Sequence, residues 1–318
     1  MEVSTQKQDA PLSLPYPAAL PAEARVPRWL KALLRNPISL AGIALVLFFA
    51  AVALLAPVLA PPADPSQPYE MPRAGFLAEP QPPNAEHPLG TTQGQYDILY
   101  GLVWGTRTAF KIGLIVTSLT VLIGGGLGAI SGYLGGWVDE ILQRIVEIFL
   151  AFPFLLAALT LATVLVPKIH NGLISGMLAL ITFGWPGYAR LIRGDVLGVK
   201  ERDFVVAARA LGEPGWLILI RHVVPNAMYS LLVVASLDVG TNVLAFAALS
   251  FLGIGTNEGY ADWGQLLSFA RNWIPTLSKY WYIVVYPGLA LLCFVLAWNL
   301  IGDAFRDALD PKMRGQKV

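Results

Sequence analysis

Residues 203–226 read DFVVAARALGEPGWLILIRHVVPN, a segment that carries Asp203, Arg209, Glu213, Arg221 and His222 between flanks apolar enough to sit in lipid. Phe204, Ala207, Ala208 and Leu211 follow the i, i+3, i+4, i+7 spacing of one helical face. Arg202, Asp203 and Arg209 fall largely off that face, and the small residues at its centre let another surface approach closely. Gly212 stands where a helix ends in a left-handed cap. Pro214 stands where a new helix begins, since its missing N–H costs nothing there. The spacing predicts a helix, a sharp corner, a second helix through WLILIRHVV, a break at Pro225, and Asn226 capping the helix that follows. Two readings fit such an elbow: a docking element for another protein, or an amphipathic helix lying against lipid headgroups.

The flanks decide the class. Of 318 residues, 55% are hydrophobic and 14% charged, with a mean hydropathy of +0.59, whereas soluble domains are about a quarter charged. Six apolar runs, 38–60, 109–134, 143–166, 172–190, 228–252 and 282–302, are long enough to cross a bilayer core of about 30 Å as helices. The first run follows 37 residues, too long a leader for a signal peptide, and reads as a retained transmembrane helix. Lys and Arg concentrate before the first run (five), between the fourth and fifth (six) and after the sixth (four). Those stretches, both termini and the elbow included, are therefore expected on the cytoplasmic side. The expected organisation is a cytoplasmic tail over 1–36, ending in an interfacial helix around VPRWLKALL, a first transmembrane helix over 37–60 and an extracytoplasmic loop over 61–108. A helical core over 109–306 follows, with the elbow connection at 191–227, and then a cytoplasmic tail over 307–318.

Several chemistries are excluded or weakened. A net charge of +1 with no basic face gives no reason to expect nucleic-acid binding. The single cysteine, Cys293, cannot form an intramolecular disulfide, and His87, His170 and His222 are too scattered for an expected metal site. There is no G-x-x-x-x-G-K-[ST] to cradle ATP phosphates and no G-x-S-x-G or H-E-x-x-H. The run GGGLGAISGYLGG instead places Gly124, Gly128, Gly132 and Gly136 at four-residue intervals in an apolar helix, the pattern for close helix packing in lipid. Asp139 and Glu140 read as a solvated turn that helps fix the corner between the second and third helices. His222 reads as a capping or docking hydrogen bond rather than a pH switch. Asp238 falls about ten residues into the fifth helix, where an ionisable group is expensive. It either lines a polar pathway, with Asn242 and Phe246 nearby, or forms a buried hydrogen bond to Asn242 or to a neighbouring helix.

AARALG followed nine residues later by HVVPN resembles the EAA loop of ABC-importer membrane subunits. In order along the chain, HPLGTTQGQYDIL (87–99), GYLGGWVDEILQRIVEIFLAFPFLLAAL (132–159), LSFLGIG (249–255), DWGQLL (262–267) and NLIGDAFRDALDP (299–311) resemble the C-type permease of dipeptide and oligopeptide transporters. The departures are Val206 at the position that gives the EAA motif its glutamate, GTTQGQYD for GTDxLGRD, so that only Gly90, Thr91 and Asp97 carry over, and Phe246 where many relatives have glutamate. The resemblance implies an all-α polytopic membrane protein with six transmembrane helices, the type I ABC importer transmembrane fold, with the elbow as its cytoplasmic coupling helix. Asp203, Phe204, Ala207, Ala208, Arg209, Leu211, Gly212, His222 and Pro225 would serve coupling to an ATPase. The implied partners are a homologous B-type permease, two ATP-binding subunits that hold ATP and Mg, an extracytoplasmic solute-binding protein and membrane lipid. The chain itself would hold no cofactor and hydrolyse nothing, in a bacterial or archaeal inner membrane. Trp263 and Trp273, in the 253–281 loop, are candidates for the binding-protein dock or else packed interfacial aromatics. The cargo implied is a di- or oligopeptide, with oligosaccharides, nickel chelates and glutathione as alternatives. The rival classes are an ATP-independent channel or carrier and a membrane-embedded enzyme.

Overall fold

A computed structural model describes residues 36–75 and 77–309; the expected interfacial helix before residue 36 and the basic end after 309 lie outside the described residues. Capping chemistry marks where the long helices begin. Asn36 accepts from the Ile38 N–H at 2.9 Å and Pro37 opens α1 (Pro37–Leu59). Asp97 accepts from the Tyr100 N–H at 2.8 Å and starts α2 (Ile98–Leu134). Asn171 accepts from the Ile174 N–H at 3.0 Å and starts α5 (Gly172–Val199). The extracytoplasmic loop expected to reach residue 108 therefore ends at Asp97, and α2, with 37 residues, runs about 55 Å, well beyond a bilayer core.

The third apolar run is not one helix. It is split into α3 (Gly136–Leu150) and α4 (Phe154–Ile169), which meet at 85°. Pro153 lies at the break and has no N–H with which to continue the α3 ladder. Hydropathy does not register this, because the residues around the break are as apolar as the helices. The remaining elements are α6 (Asp203–Ala210), α7 (Gly215–Ile218), α8 (Val224–Phe251), α9 (Trp263–Phe269), α10 (Leu277–Tyr280) and α11 (Tyr282–Leu309). Five helical stretches are long and apolar enough to cross a membrane, or six if the bent α3–α4 pair is one span.

α2 and α5 form the most extensive helix pair, α8 packs on both, and α11 packs on α8 and α1. The glycine spacing explains the α2–α5 contact. A Cβ on Gly124 would lie 2.3 Å from the Trp185 carbonyl oxygen, one on Gly128 2.2 Å from that of Ala189, and one on Gly132 2.9 Å from that of Arg193. Backbone meets backbone with no room for a side chain, as expected. Gly136 does not belong to this stripe. α2 has ended at Leu134, and Gly135 and Gly136, both with positive φ, make the corner into α3 with nothing near either Cβ position.

At the end of the bundle away from the elbow, loop 60–97 and loop 252–281 form a cap. Met71 N donates to Gly259 O at 2.8 Å and Ala261 N to Tyr69 O at 2.7 Å. Trp263 is buried among Phe49, Phe294 and Gly105, and its indole N–H donates to Leu102 O at 3.1 Å. It belongs to the core and cannot dock a partner, which corrects one expectation. Trp273 is half-buried and donates to Gln93 Oε1 at 3.2 Å.

Candidate functional site

The elbow occupies residues 200–214, shorter than the expected 191–227, because α5 persists to Val199 and helix resumes at Gly215. Its first arm, α6, carries two apolar sides. Val205 (0% exposed) and Ala208 (8%) turn inward onto Val196, Val199, Ile218 and Val223. Phe204 (40%), Val206 (48%) and Leu211 (88%) turn outward, as do Ala207, Asp203 and Arg209. Ala208 is thus removed from the expected docking face: it seats the elbow on the bundle, and Phe204, Ala207 and Leu211 remain free to meet a partner. An 8-residue helix is marginal alone. Burial of its inner side makes it an extension of α5 and α8.

The corner is a complete Schellman motif. Gly212 N donates to Arg209 O at 3.1 Å and Glu213 N to Ala208 O at 3.2 Å, with Gly212 at φ +80°. No atom lies within 4 Å of a Cβ built on Gly212. The requirement for glycine here is therefore purely one of backbone conformation. Gly212→Val is expected to cost about 1–2 kcal/mol at the corner, tilting α6 without creating a clash. A lowered thermal-unfolding midpoint with membrane levels retained would be its signature, and an unchanged midpoint for Gly212→Val would contradict it.

Beyond the corner, His222 Nε2 lies 2.9 Å from Glu213 Oε2. The hydrogen bond expected of His222 is therefore an internal brace across the elbow. The expected break at Pro225 does not occur. Residues Leu219–Val223 widen into a π-turn, which absorbs the proline so that helix continues from Gly215 to Phe251. Asn226 does not cap an N–H; its side-chain amide donates to His222 O at 2.7 Å.

A second brace was hidden from sequence reasoning. Arg193 makes two bonds of 2.6 Å to Asp139, and the Ser131 hydroxyl bonds the same carboxylate, while Lys200 Nζ donates to Gly132 O at 2.9 Å. This ties the end of α2, the start of α3 and α5 together directly above α6. Asp139 is hence a partly buried ion-pair partner rather than a solvated turn residue. Its partner is 54 residues away in sequence, and no local spacing signals it.

The polar residues of α8 separate. Asp238 Oδ2 accepts from the Tyr188 hydroxyl of α5 at 2.6 Å, while Asn242 Nδ2 donates to Thr117 of α2 at 2.9 Å. Asp238 and Asn242 thus bond to neighbouring helices and not to each other. Phe246, at 0% exposure, packs on Gly176, whose Cβ position lies 2.6 Å from its ring. It fills core and cannot line a pathway. Among the described residues no cluster of His, Cys, Asp and Glu could hold a metal ion.

A bundle of long apolar helices, with a braced helical elbow projecting from one end and a folded cap at the other, defines a multi-pass membrane permease. Residues 124–315 match the binding-protein-dependent transport system inner membrane component family, and residues 28–83 match the N-terminal transmembrane domain of oligopeptide transport permease C. The chain belongs to the family of binding-protein-dependent transport system inner membrane components. It is 35% identical to the dipeptide transport system permease protein DppC of Alkalihalophilus pseudofirmus, over 96% of this chain and 97% of that one. It is 35% identical to the oligopeptide transport system permease protein OppC of Bacillus subtilis, over 90% of each. It is 33% identical to the glutathione transport system permease protein GsiD of Pectobacterium atrosepticum, over 88% of this chain and 89% of that one. An inward-facing structure of the MetNI methionine ABC transporter superposes with a TM-score of 0.55 at 18% identity, covering 66% of this chain and 97% of that one. The fold expected from the sequence, that of an ABC importer permease, is borne out.

Proposed function

We propose that this permease forms half of the translocation pathway of an ATP-driven importer of di- or oligopeptides, and that its elbow is the plug for an ATP-hydrolysing subunit. The observation that carries the coupling role is the pairing of a seated inner side, Val205 and Ala208, with an outer apolar face, Phe204, Ala207 and Leu211, that is exposed among the described residues. Phe204, Val206 and Leu211 are all exposed on this one short helix, and grouped exposed apolar residues mark interaction sites. The Lys and Arg distribution supports a cytosolic position for this end and for both termini. ATP and Mg are held by two partner subunits, the second half of the pathway is a homologous B-type permease, and a solute-binding protein delivers cargo to the cap. Closure of the ATP-binding subunits pushes on α6. The Arg193–Asp139 and His222–Glu213 braces pass that push to α2, α3, α5 and α8 as one body, which opens the pathway alternately to each side.

The peptide cargo rests on the relatives named above, and the 33% identity to a glutathione permease keeps a γ-linked tripeptide as the second reading. Asp238 has one carboxylate oxygen engaged by Tyr188, and on this reading its other oxygen would be offered to cargo as an acceptor. The test is purification of the tagged chain in mild detergent. Co-purification with two ATP-binding subunits and a second permease is expected; recovery of a monomer with ATP-independent uptake would overturn the proposal in favour of a carrier.

A further inference from the structure

α2 contains only two charged side chains in its 37 residues, and both are cations one helical turn apart, Arg107 and Lys111. Like charges at this spacing repel, and ionisable groups on a membrane helix are retained where they meet a partner. Other cations of the cap find an oxygen: Arg73 lies 3.5 Å from Glu258, Lys279 3.8 Å from Glu79, and Arg271 donates to Phe251 O at 2.6 Å. Among the described residues Arg107 and Lys111 have no carboxylate within ion-pair distance. They rest instead on a wall of aromatic faces. The Arg107 guanidinium lies 5.1 Å from the Trp104 ring and Lys111 Nζ 4.4 Å from Tyr69. Tyr69 in turn contacts Trp104 at 5.4 Å and stacks on Tyr260 at 5.3 Å.

Lys111 also lines a cleft of about 350 Å³ between α2, the start of α5 and the cap, together with Asn171, Ile174, Thr256, Asn257 and Tyr260. Burial pushes the Tyr260 phenol up to about 12, so it stays protonated at any physiological pH. Such a cleft is concave, mostly uncharged and has in its wall one ammonium with no carboxylate partner among the described residues, the composition of a site that orients an anionic group. We infer that Lys111, with Arg107 reinforcing the field, is a cargo-orienting subsite that receives a carboxylate of the peptide as it enters the pathway from the cap side. A lipid phosphate would satisfy the same charge, but Lys111 lines a cleft under the cap loops whose wall mixes Asn171, Thr256 and Asn257 with Leu173, Ile174 and Met177, and polar groups of that kind suit a peptide rather than an acyl chain. The inference rests on the peptide reading of the preceding subsection.

The test reconstitutes the complete importer with its binding protein in proteoliposomes. A mixture of free-acid di- and tripeptides is supplied, and the peptides that enter are identified by mass spectrometry. Lys111→Gln is expected to lower import about tenfold at subsaturating peptide, mainly through KM, and Lys111→Arg is expected to restore most of it. Equal import by Lys111→Gln and the unsubstituted complex would overturn this inference alone. Loss of import accompanied by loss of bound phosphatidylglycerol in native mass spectrometry would overturn it by placing a lipid phosphate at Lys111. An unsubstituted complex that imports no peptide would overturn the peptide reading, and the inference with it.

Discussion

Leu211→Asp is expected to abolish ATP-driven import while leaving the permease folded and in the membrane. Leu211 is 88% exposed and lies at the cap of α6, next to the Gly212 corner, so a carboxylate there meets water in the isolated chain and costs within about 0.5 kcal/mol of stability. In the assembled importer the same position is the end of the apolar face made with Phe204 and Ala207. A buried charge replacing an apolar anchor in such an interface removes about 2–4 kcal/mol, roughly 30- to 1000-fold in affinity. Native membrane levels and thermal unfolding of the variant should match the unsubstituted chain, while ATP-binding subunits no longer co-purify. Loss of import with the subunits still bound would mean that Leu211 transmits movement without contributing affinity. The inner residue Ala208 provides the contrast: a large residue there should unseat α6 itself and lower stability before docking is tested.

Gly128→Val is expected to be strongly destabilising. The Cβ would sit 2.2 Å from the Ala189 carbonyl oxygen and 2.4 Å from the Ile192 side chain, and the carbonyl belongs to a helix backbone that cannot rotate away. α2 and α5 must separate along their most extensive contact, at a cost of about 3 kcal/mol or more, a large share of a marginal total. Gly126 is the internal control. It lies in the same GGG run, but nothing is within 4 Å of its Cβ position, so Gly126→Val should be close to neutral. The midpoint for heat-induced loss of monodisperse protein in detergent should fall sharply for Gly128→Val and hardly move for Gly126→Val. Equal shifts would remove the glycine stripe from the account of how this bundle packs.

The difference between these glycines shows what sequence carries in a membrane protein and what it does not. The four-residue repeat of Gly124, Gly128 and Gly132 identified the packing face, because in lipid only small residues let helix backbones touch; the repeat ran one step too far, to Gly136, because spacing does not register that α2 has already ended. Gly212 was legible because a left-handed corner has few other solutions. The orientation of α6 was only half legible: Phe204, Val205, Ala207, Ala208 and Leu211 are all apolar, and periodicity cannot tell which side is buried by the protein and which awaits a partner. Phe246 was misplaced because substitution of a polar family position by phenylalanine reads as altered specificity, whereas Gly176 opposite it had made room for a ring. Asp139–Arg193 and Tyr188–Asp238 bridge 54 and 50 residues respectively, and pairings of that kind exist only once the helices are assembled. The Arg107–Lys111 pair was not legible, because the apolar run that marks the second helix begins at 109 and leaves Arg107 in the loop before it; only the start of α2 at Ile98 places both cations on one helix.

The measurement that bears most directly on the coupling role is a photo-cross-link from the elbow in the intact importer. Leu211 is replaced by a benzophenone amino acid in the full complex, with the exposed position Leu232 of α8 as the control, and the irradiated products are identified by mass spectrometry. The account predicts that position 211 joins covalently to an ATP-binding subunit in high yield and that position 232 does not. A product at 211 made only with lipid, or with the solute-binding protein, would contradict it.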